Sequence, residues 1–252
     1  MENVYELLDY LPLEDIEVND YVRPLINSAQ VTYEKGEYQF SYFAVHLIFM
    51  TNIYTTVWQV SQFYKERYNH SLLFARPYNG KEVKLDEITS VFEFSKLPEK
   101  DIFEFFRLIG LDDSYVKSTK KLIDYRNEMA HATGKIQIYS QEAFDNAIDE
   151  ILSVTKKIHD CLSLTIREFY KDILINYAKE NPEYTNDNPK DFIQIEFIKN
   201  LSFSKKDLEV CRDFGLNKLK DWKVSGLSKE EISRVVEFHT VMKEYYNDLF
   251  GE

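Results

Sequence analysis

Six consecutive residues near the end of a predicted helix combine the groups that phosphodiester chemistry uses. The run reads Arg126-Asn127-Glu128-Met129-Ala130-His131. An arginine can bind a phosphate or a phosphorane transition state through two parallel hydrogen bonds. A histidine can move a proton near neutral pH. We therefore interpret Arg126, Asn127 and His131 as candidate catalytic residues.

The order of these residues resembles the signature of the HEPN (higher eukaryotes and prokaryotes nucleotide-binding) superfamily. That signature is an arginine, four to six residues and a histidine at the end of a helix, with a polar residue directly after the arginine. Here Asn127 is the polar residue, and the resemblance covers about residues 38–180. It implies a metal-independent endoribonuclease of toxin–antitoxin, abortive-infection or CRISPR-linked defence systems. The alternative is a catalytically inactive HEPN-like module that binds a nucleotide, RNA or a protein partner.

The resemblance also implies roles for individual residues. Arg126 would stabilise charge on the phosphorane oxygens, Asn127 would orient a phosphate or the histidine, and His131 would transfer a proton. Three nearby lysines are candidates for binding the RNA backbone, and a solvated basic face is the equally open alternative: Lys117, Lys120 and Lys121. The chain has neither a metal-ligand spacing nor a phosphate-binding glycine loop, so no metal or cofactor is predicted.

A second arginine and histidine have the same spacing. They belong to the run Arg234-Val235-Val236-Glu237-Phe238-His239. The residue after Arg234 is apolar, and this pair lies in the middle of a predicted helix. A motif needs its structural context, so we favour the pair at 126 and 131.

Helix geometry limits how Arg126 and His131 can act together. On an ideal helix their side chains point roughly 140° apart, at 100° per residue. Either the helix ends before His131, as Gly134 permits, or a second protomer supplies the missing group, which agrees with the homodimer that the resemblance implies. Arg126 also lies in the apolar arc of the helix, where a charge needs a partner. That partner is a phosphate, or a carboxylate of a neighbouring helix in a purely structural ion pair.

The elements that position these residues are predicted to form an all-α helical bundle. The chain has only seven glycines and six prolines, which favours long helices. Two long helices, Tyr38–Tyr68 and Gln141–Glu180, pack around the shorter motif helix Asp113–His131, and additional C-terminal helices follow. Shorter helices are predicted near Asp86–Phe94 and Glu99–Ile109, with a loop or hairpin at Phe74–Lys84. His46 lies in the most apolar helix and is interpreted as a core residue with satisfied hydrogen bonds or as a helix-packing residue.

Charge and turn residues suggest three parts. Residues 1–37 hold nine acidic and two basic residues and read as short helical pieces broken at Pro12 and Pro24. The HEPN-like bundle occupies residues 38–180, and residues 181–189 form a linker. The C-terminal helical extension, 190–252, contains two capping-box patterns, Ser204 with Asp207 and Ser228 with Glu231.

Composition predicts a cytoplasmic protein. The net charge of −12 excludes a general nucleic-acid binder, so an RNA site must have a local positive field. Neither Cys161 nor Cys211 has metal-site spacing, and both are interpreted as reduced.

Phe40–Tyr64 carries no charge and is long enough to cross a membrane, but its polar residues favour a helix buried in protein. RNA, a second protomer and an antitoxin or defence-system protein are the predicted partners.

Overall fold

The computed structural model describes residues 1–72, 88–131, 136–181, 188–216 and 226–251. Within these ranges the regular secondary structure is helical, which confirms the predicted all-α fold. The chain divides into two compact units, Met1–Leu162 and Ser163–Glu252. The predicted loop at Phe74–Lys84 and most of the predicted linker lie outside the described residues.

The first unit contains six helices within its described residues and the first part of a seventh. They are α1 (Glu2–Leu8), α2 (Ile16–Glu34), α3 (Tyr38–Phe63), α4 (Lys65–Leu72), α5 (Glu99–Ile102), α6 (Asp113–Ala130) and α7 (Gln141–Ala178). Two 3₁₀ segments, Val91–Lys96 and Phe103–Ile109, connect α4 to α6 on either side of α5. The second segment ends at Gly110, whose φ of 86° is the left-handed conformation that glycine adopts at low cost.

Helix α3 forms the centre of the first unit. Most of its side chains are buried, and several of the polar ones have local or tertiary hydrogen-bond partners. The Asn52 amide donates to the Tyr10 carbonyl at 2.7 Å, and the Ser41 hydroxyl donates to the Ala29 carbonyl at 2.8 Å. Such bonds offset the cost of burying polar groups. In the described ranges, every helix is too short or too polar to span a lipid bilayer.

The predicted helix break at Pro24 is wrong, because Pro24 lies inside α2. A proline there removes one backbone hydrogen bond and its ring crowds the preceding turn. Helix α2 remains continuous because Val18, Val22 and Ala29 are buried along one side, where the helix packs against α3. The Asp15 side chain also caps its first turn by accepting from the Val18 N–H at 3.0 Å.

The predicted helix Tyr38–Tyr68 is instead two helices. Tyr64 adopts φ −127° and ψ 43°, outside the helical range, and α4 begins at Lys65. The apolar periodicity gives no sign of this break, because Tyr68 is fully buried beyond it. Tyr68 packs there against Phe94 and Phe105 with ring centroids 6.4 and 4.8 Å away.

The second unit is built from the last part of α7 and the helices that follow it. These are α8 (Pro189–Phe192), a π-helical segment (Ile193–Asn200), α9 (Lys205–Arg212) and α10 (Lys229–Phe250). Tyr170 of α7 lies at the centre of its core, in ring contact with Phe197, Phe214 and Phe238. Both predicted capping boxes are confirmed, at the first residues of α9 and α10.

Candidate active site

Helix α6 carries the Arg–His motif and has well-defined ends. The Asp112 carboxylate accepts hydrogen bonds from the Ser114 and Tyr115 N–H groups at 2.9 and 3.1 Å, which begins the helix. Its last helical residue is Ala130. His131 is the C-cap residue, with an extended backbone at φ −82° and ψ 146°, and its N–H donates to the Asn127 carbonyl at 3.2 Å.

The end of α6 at Ala130 agrees with one of the two arrangements that the sequence left open. The φ of His131 and its N–H bond to Asn127 are still helix-like, so its Cα–Cβ bond keeps nearly the helical direction, and the extended ψ redirects only the chain that follows. The His131 side chain is exposed, whereas Arg126 and Asn127 are half-buried. In the part of the chain that the structure describes, no hydrogen bond joins the side chains of Arg126 and His131, and the ion pair of Arg126 is with Glu99. Gly134 lies outside the described residues.

Arg126 pairs with a carboxylate, which is one of the two kinds of partner that the sequence left open. Its guanidinium forms an ion pair with the Glu99 carboxylate, at the start of α5. The two side chains are 24% and 26% exposed. Partial burial strengthens such a pair relative to one in open water, because solvent screens it less. Glu99 thereby holds the guanidinium in one place, and about a quarter of the arginine stays accessible.

The charge of Arg126 acts on two polar residues of α3. Tyr42 and His46 lie one helical turn apart, with ring centroids separated by 6.0 Å. Among the residues that the structure describes, no partner bonds to the Tyr42 hydroxyl, either ring nitrogen of His46 or Nε of Arg126. His46 is buried, which confirms the predicted core position, but within the described residues neither ring nitrogen has the hydrogen bond that was predicted. Nothing in the spacing of the sequence pointed to this group.

The pKa values around Arg126 follow from burial and from its charge. Burial, and then the positive charge of Arg126, lower the pKa of His46 from 6.5 to about 3. His46 is thus neutral at pH 7. Burial also raises the pKa of Tyr42 above its ordinary value, and Tyr125 and Glu150 act in the same direction. Tyr42 therefore keeps its proton.

Helix α6 is held to the preceding segment by four ion pairs, which we call the ion-pair ladder. Along α6 the paired residues alternate in sign, and their partners follow in the reverse order. The pairs are Asp113–Arg107, Lys120–Glu104, Asp124–Lys100 and Arg126–Glu99. Burial raises the pKa of Glu104, but hydrogen bonds from Lys120 and Arg107 outweigh it, so the net shift is downward.

The three lysines predicted to bind RNA are therefore not equivalent. Lys120 is half-buried and pairs with Glu104. Lys117 and Lys121 are exposed. An exposed lysine can approach a phosphate without first breaking an ion pair, so these two remain the better candidates for contact with RNA.

The second Arg–His pair has a structural role. Arg234 donates to the Ala178 carbonyl at 2.8 Å and to the Glu180 carboxylate at 2.9 Å, which caps the end of α7. His239 is buried, and its Nδ1 lies 3.0 Å from the Tyr170 hydroxyl. Burial and the nearby Lys243 lower the pKa of His239 to about 4.

We predict that Arg234→Ala leaves any RNA cleavage unchanged and destabilises the protein. The substitution removes a charged donor from the last carbonyls of α7, which should lower the free energy of unfolding by about 1–2 kcal/mol. Urea unfolding of the purified variant measures this change. A cleavage rate that falls together with stability would contradict the assignment of this pair as structural.

Exposed apolar side chains lie near the end of the motif helix. Phe40, Ile136 and Tyr139 are 61%, 68% and 79% exposed. The Gln137 N–H donates to the Gln39 side chain at 2.9 Å, which joins residues 136–139 to the start of α3, where Phe40 follows Gln39. The Gln137 amide also reaches Glu128, near the end of α6, at 3.5 Å. We call Phe40, Ile136 and Tyr139 the apolar surface.

The chain matches no protein-family model, no curated protein and no solved structure. In the part of the chain that the structure describes, no group of three or more His, Cys, Asp or Glu side chains could hold a metal ion. Cys161 and Cys211 are both free.

Proposed function

We propose that the chain is a metal-independent endoribonuclease of HEPN type, with Arg126 and His131 at its active site. One observation carries the proposal: α6 ends at Ala130 and leaves His131 exposed, just over one turn beyond an arginine that Glu99 holds in place. An exposed imidazole is accessible to a substrate and can take part in proton transfer. A fixed guanidinium can stabilise a phosphorane without reorganising during the reaction.

The reaction proposed is transesterification of RNA. A base removes the proton of a ribose 2′-hydroxyl, and the 2′-oxygen attacks the adjacent phosphorus. The bond from phosphorus to the 5′-oxygen breaks, and an acid protonates that leaving oxygen. The products are a 2′,3′-cyclic phosphate and a 5′-hydroxyl. Neutral imidazole serves as the base and imidazolium as the acid, so the His131 side chains of two protomers can divide these roles.

The apolar surface supports a second protomer as the partner that completes the site. Exposed aromatic and aliphatic side chains grouped together are typical of protein interfaces. Their position near the end of α6 would bring the two His131 residues toward each other across a twofold axis. The resemblance further suggests a toxin or antiphage defence effector acting on RNA in the cytoplasm, with an antitoxin or defence-system protein as a further partner.

We predict that the double substitution Phe40→Asp, Tyr139→Asp converts a dimer into a monomer and abolishes cleavage. Two carboxylates buried in an apolar interface without partners would cost several kcal/mol. Light scattering gives the mass in solution. Ile16→Asp is the control, since Ile16 is 77% exposed but lies outside the apolar surface. A parent chain that is monomeric and still cleaves RNA would reject the shared site.

The test of the proposed function is cleavage of total RNA by the purified chain in the presence of a chelator. The expected products carry 2′,3′-cyclic phosphate ends, which enzymatic analysis of the fragments detects. Cleavage that requires a divalent cation, or that leaves 5′-phosphates, would exclude the proposed chemistry. Absence of cleavage over a range of RNA substrates would favour the second candidate.

That second candidate is a catalytically inactive HEPN-like module that binds a nucleotide, RNA or a protein. The ion pair of Arg126 with Glu99 favours it, because a carboxylate already neutralises the guanidinium. The variant Glu99→Gln tests the binding module. In a binding module this variant should bind RNA more tightly, with no fragments formed, because a negative charge is removed beside the arginine.

A further inference from the structure

The second unit contains an open cleft that the proposed ribonuclease does not use. Its volume is about 610 Å³, within the range of small-molecule sites. It lies between the end of α9 and one face of α10. The lining residues used below are Arg212, Asp213, Phe214, His239, Lys243 and Asn247.

One face of α10 supplies polar groups to the cleft. His239, Lys243 and Asn247 recur at every fourth residue and so lie on the same side of the helix. Lys243 is exposed and forms no ion pair with any residue in the described ranges. A lysine without a carboxylate partner is available to an anion.

Arg212 faces the same cleft from the end of α9. Its guanidinium lies 4.2 Å from the centroid of the Tyr246 ring, and its Nε donates to the Asp213 carboxylate at 2.9 Å. The stacking and the ion pair fix the plane of the guanidinium before any ligand arrives. With Lys243 included, the lining carries two permanent positive charges and one negative charge. A local excess of positive charge contrasts with the net charge of −12 of the whole chain.

His239 forms part of the wall of the cleft with one nitrogen unpaired. Its Nδ1 lies 3.0 Å from the Tyr170 hydroxyl, and its Nε2 has no partner among the described residues. Burial raises the pKa of Tyr170, so the hydroxyl keeps its proton and can donate it to Nδ1. In that arrangement the imidazole proton is on Nε2, which is then a hydrogen-bond donor.

We propose that this cleft binds a phosphate group carried on a small organic molecule. Lys243 and Arg212 would contact the phosphate, with His239 as a further donor after a small side-chain shift. Phe214, which is half-buried beside them, would contact the apolar part of the ligand. Arginine and lysine together suit a phosphate better than a neutral ligand, because both donate hydrogen bonds and carry charge. This site is separate from the proposed ribonuclease site, and the proposal does not depend on ribonuclease activity.

The test uses NMR of the full chain with inorganic phosphate and AMP as probes and sodium chloride at matched ionic strength as the control. Both probes are expected to shift the His239 imidazole resonances in a saturable way, and chloride is not. AMP should bind at least tenfold more tightly than inorganic phosphate, since its base adds contacts with Phe214. Equal affinities would overturn the organic part of the proposal, and shifts produced equally by chloride would overturn the whole of it.

Lys243→Ala is expected to weaken binding of AMP by about 10- to 100-fold, as the loss of a charged hydrogen bond does. Lys229→Ala is the matched control, because Lys229 is an exposed lysine of the same helix outside the cleft. Lys243 is exposed, so the variant should fold normally, and its thermal unfolding checks this. Unchanged affinity in Lys243→Ala would overturn the proposed phosphate site.

Discussion

Replacing His131 with alanine is expected to slow RNA cleavage by at least about 100-fold, the usual contribution of general acid–base catalysis. His131 is exposed, so its removal should leave the free energy of unfolding within about 0.5 kcal/mol of the parent. His70→Ala is the matched control, because His70 is also an exposed histidine near a helix end. A His131→Ala variant that cleaves as fast as the parent would remove His131 from the mechanism.

Arg126 requires a more careful substitution, because Arg126→Ala leaves Glu99 without its partner. Arg126→Lys keeps the positive charge but loses the planar pair of donors, so cleavage should fall at least about tenfold while folding is retained. Arg126→Met combined with Glu99→Gln removes both charges together, which is often tolerated in a protein interior. If this double variant unfolds like the parent but does not cleave, the arginine serves catalysis. Cleavage retained in the double variant would show that the pair is structural.

The second large expected effect is a fall in the free energy of unfolding at acidic pH, caused by His46. The pKa of His46 in the folded chain is about 3, below its ordinary value of 6.5. Between these values the unfolded chain binds more protons than the folded chain, so the free energy of unfolding falls as the pH is lowered. For a single histidine the loss between pH 6.5 and pH 4 is on the order of 3 kcal/mol. The contribution is fully present only above the pKa of the unfolded chain.

His46→Leu should therefore flatten the dependence of stability on pH. It should also raise the free energy of unfolding at pH 7 by about 1–2 kcal/mol, because it removes two buried nitrogens that lack partners within the described residues. Urea unfolding at pH 7, 5.5 and 4 measures both effects, with His70→Leu as the control. The buried His239 titrates in the same direction and leaves a residual slope in the variant. A variant with the parent's slope would show that His46 does not carry this dependence.

Features that depend on neighbouring residues could be predicted from the sequence, whereas features that depend on packing between helices could not. The capping residues Ser204 and Ser228 marked two helix starts correctly, because a cap depends on neighbouring residues only. The predicted helix Gln141–Glu180 ends within two residues of the observed end of α7 at Ala178. Pro24 was misread as a break, because the packing of α2 against α3 is invisible in local propensities.

The surroundings of the motif depended on contacts distant in sequence. The apolar arc around Arg126 showed that the arginine needs an anion, but Glu99 lies 27 residues away and no spacing rule selects it over other carboxylates. His46 was recognisable as a core residue from its apolar helix. That Arg126 would lie close enough to His46 and Tyr42 to shift their pKa values depended on the packing of α3 against α6.

The ion-pair ladder also affects the alignment of α6 with residues 99–107. Exposed ion pairs contribute only about 0.2–1 kcal/mol each, so the ladder adds modest stability. Its alternating signs nevertheless select one alignment. A slip by one pair would set Glu99 against Asp124 and Lys100 against Lys120, so attraction would become repulsion at successive contacts. The same charges that hold the arginine thus discriminate against misregistered packing of the motif helix.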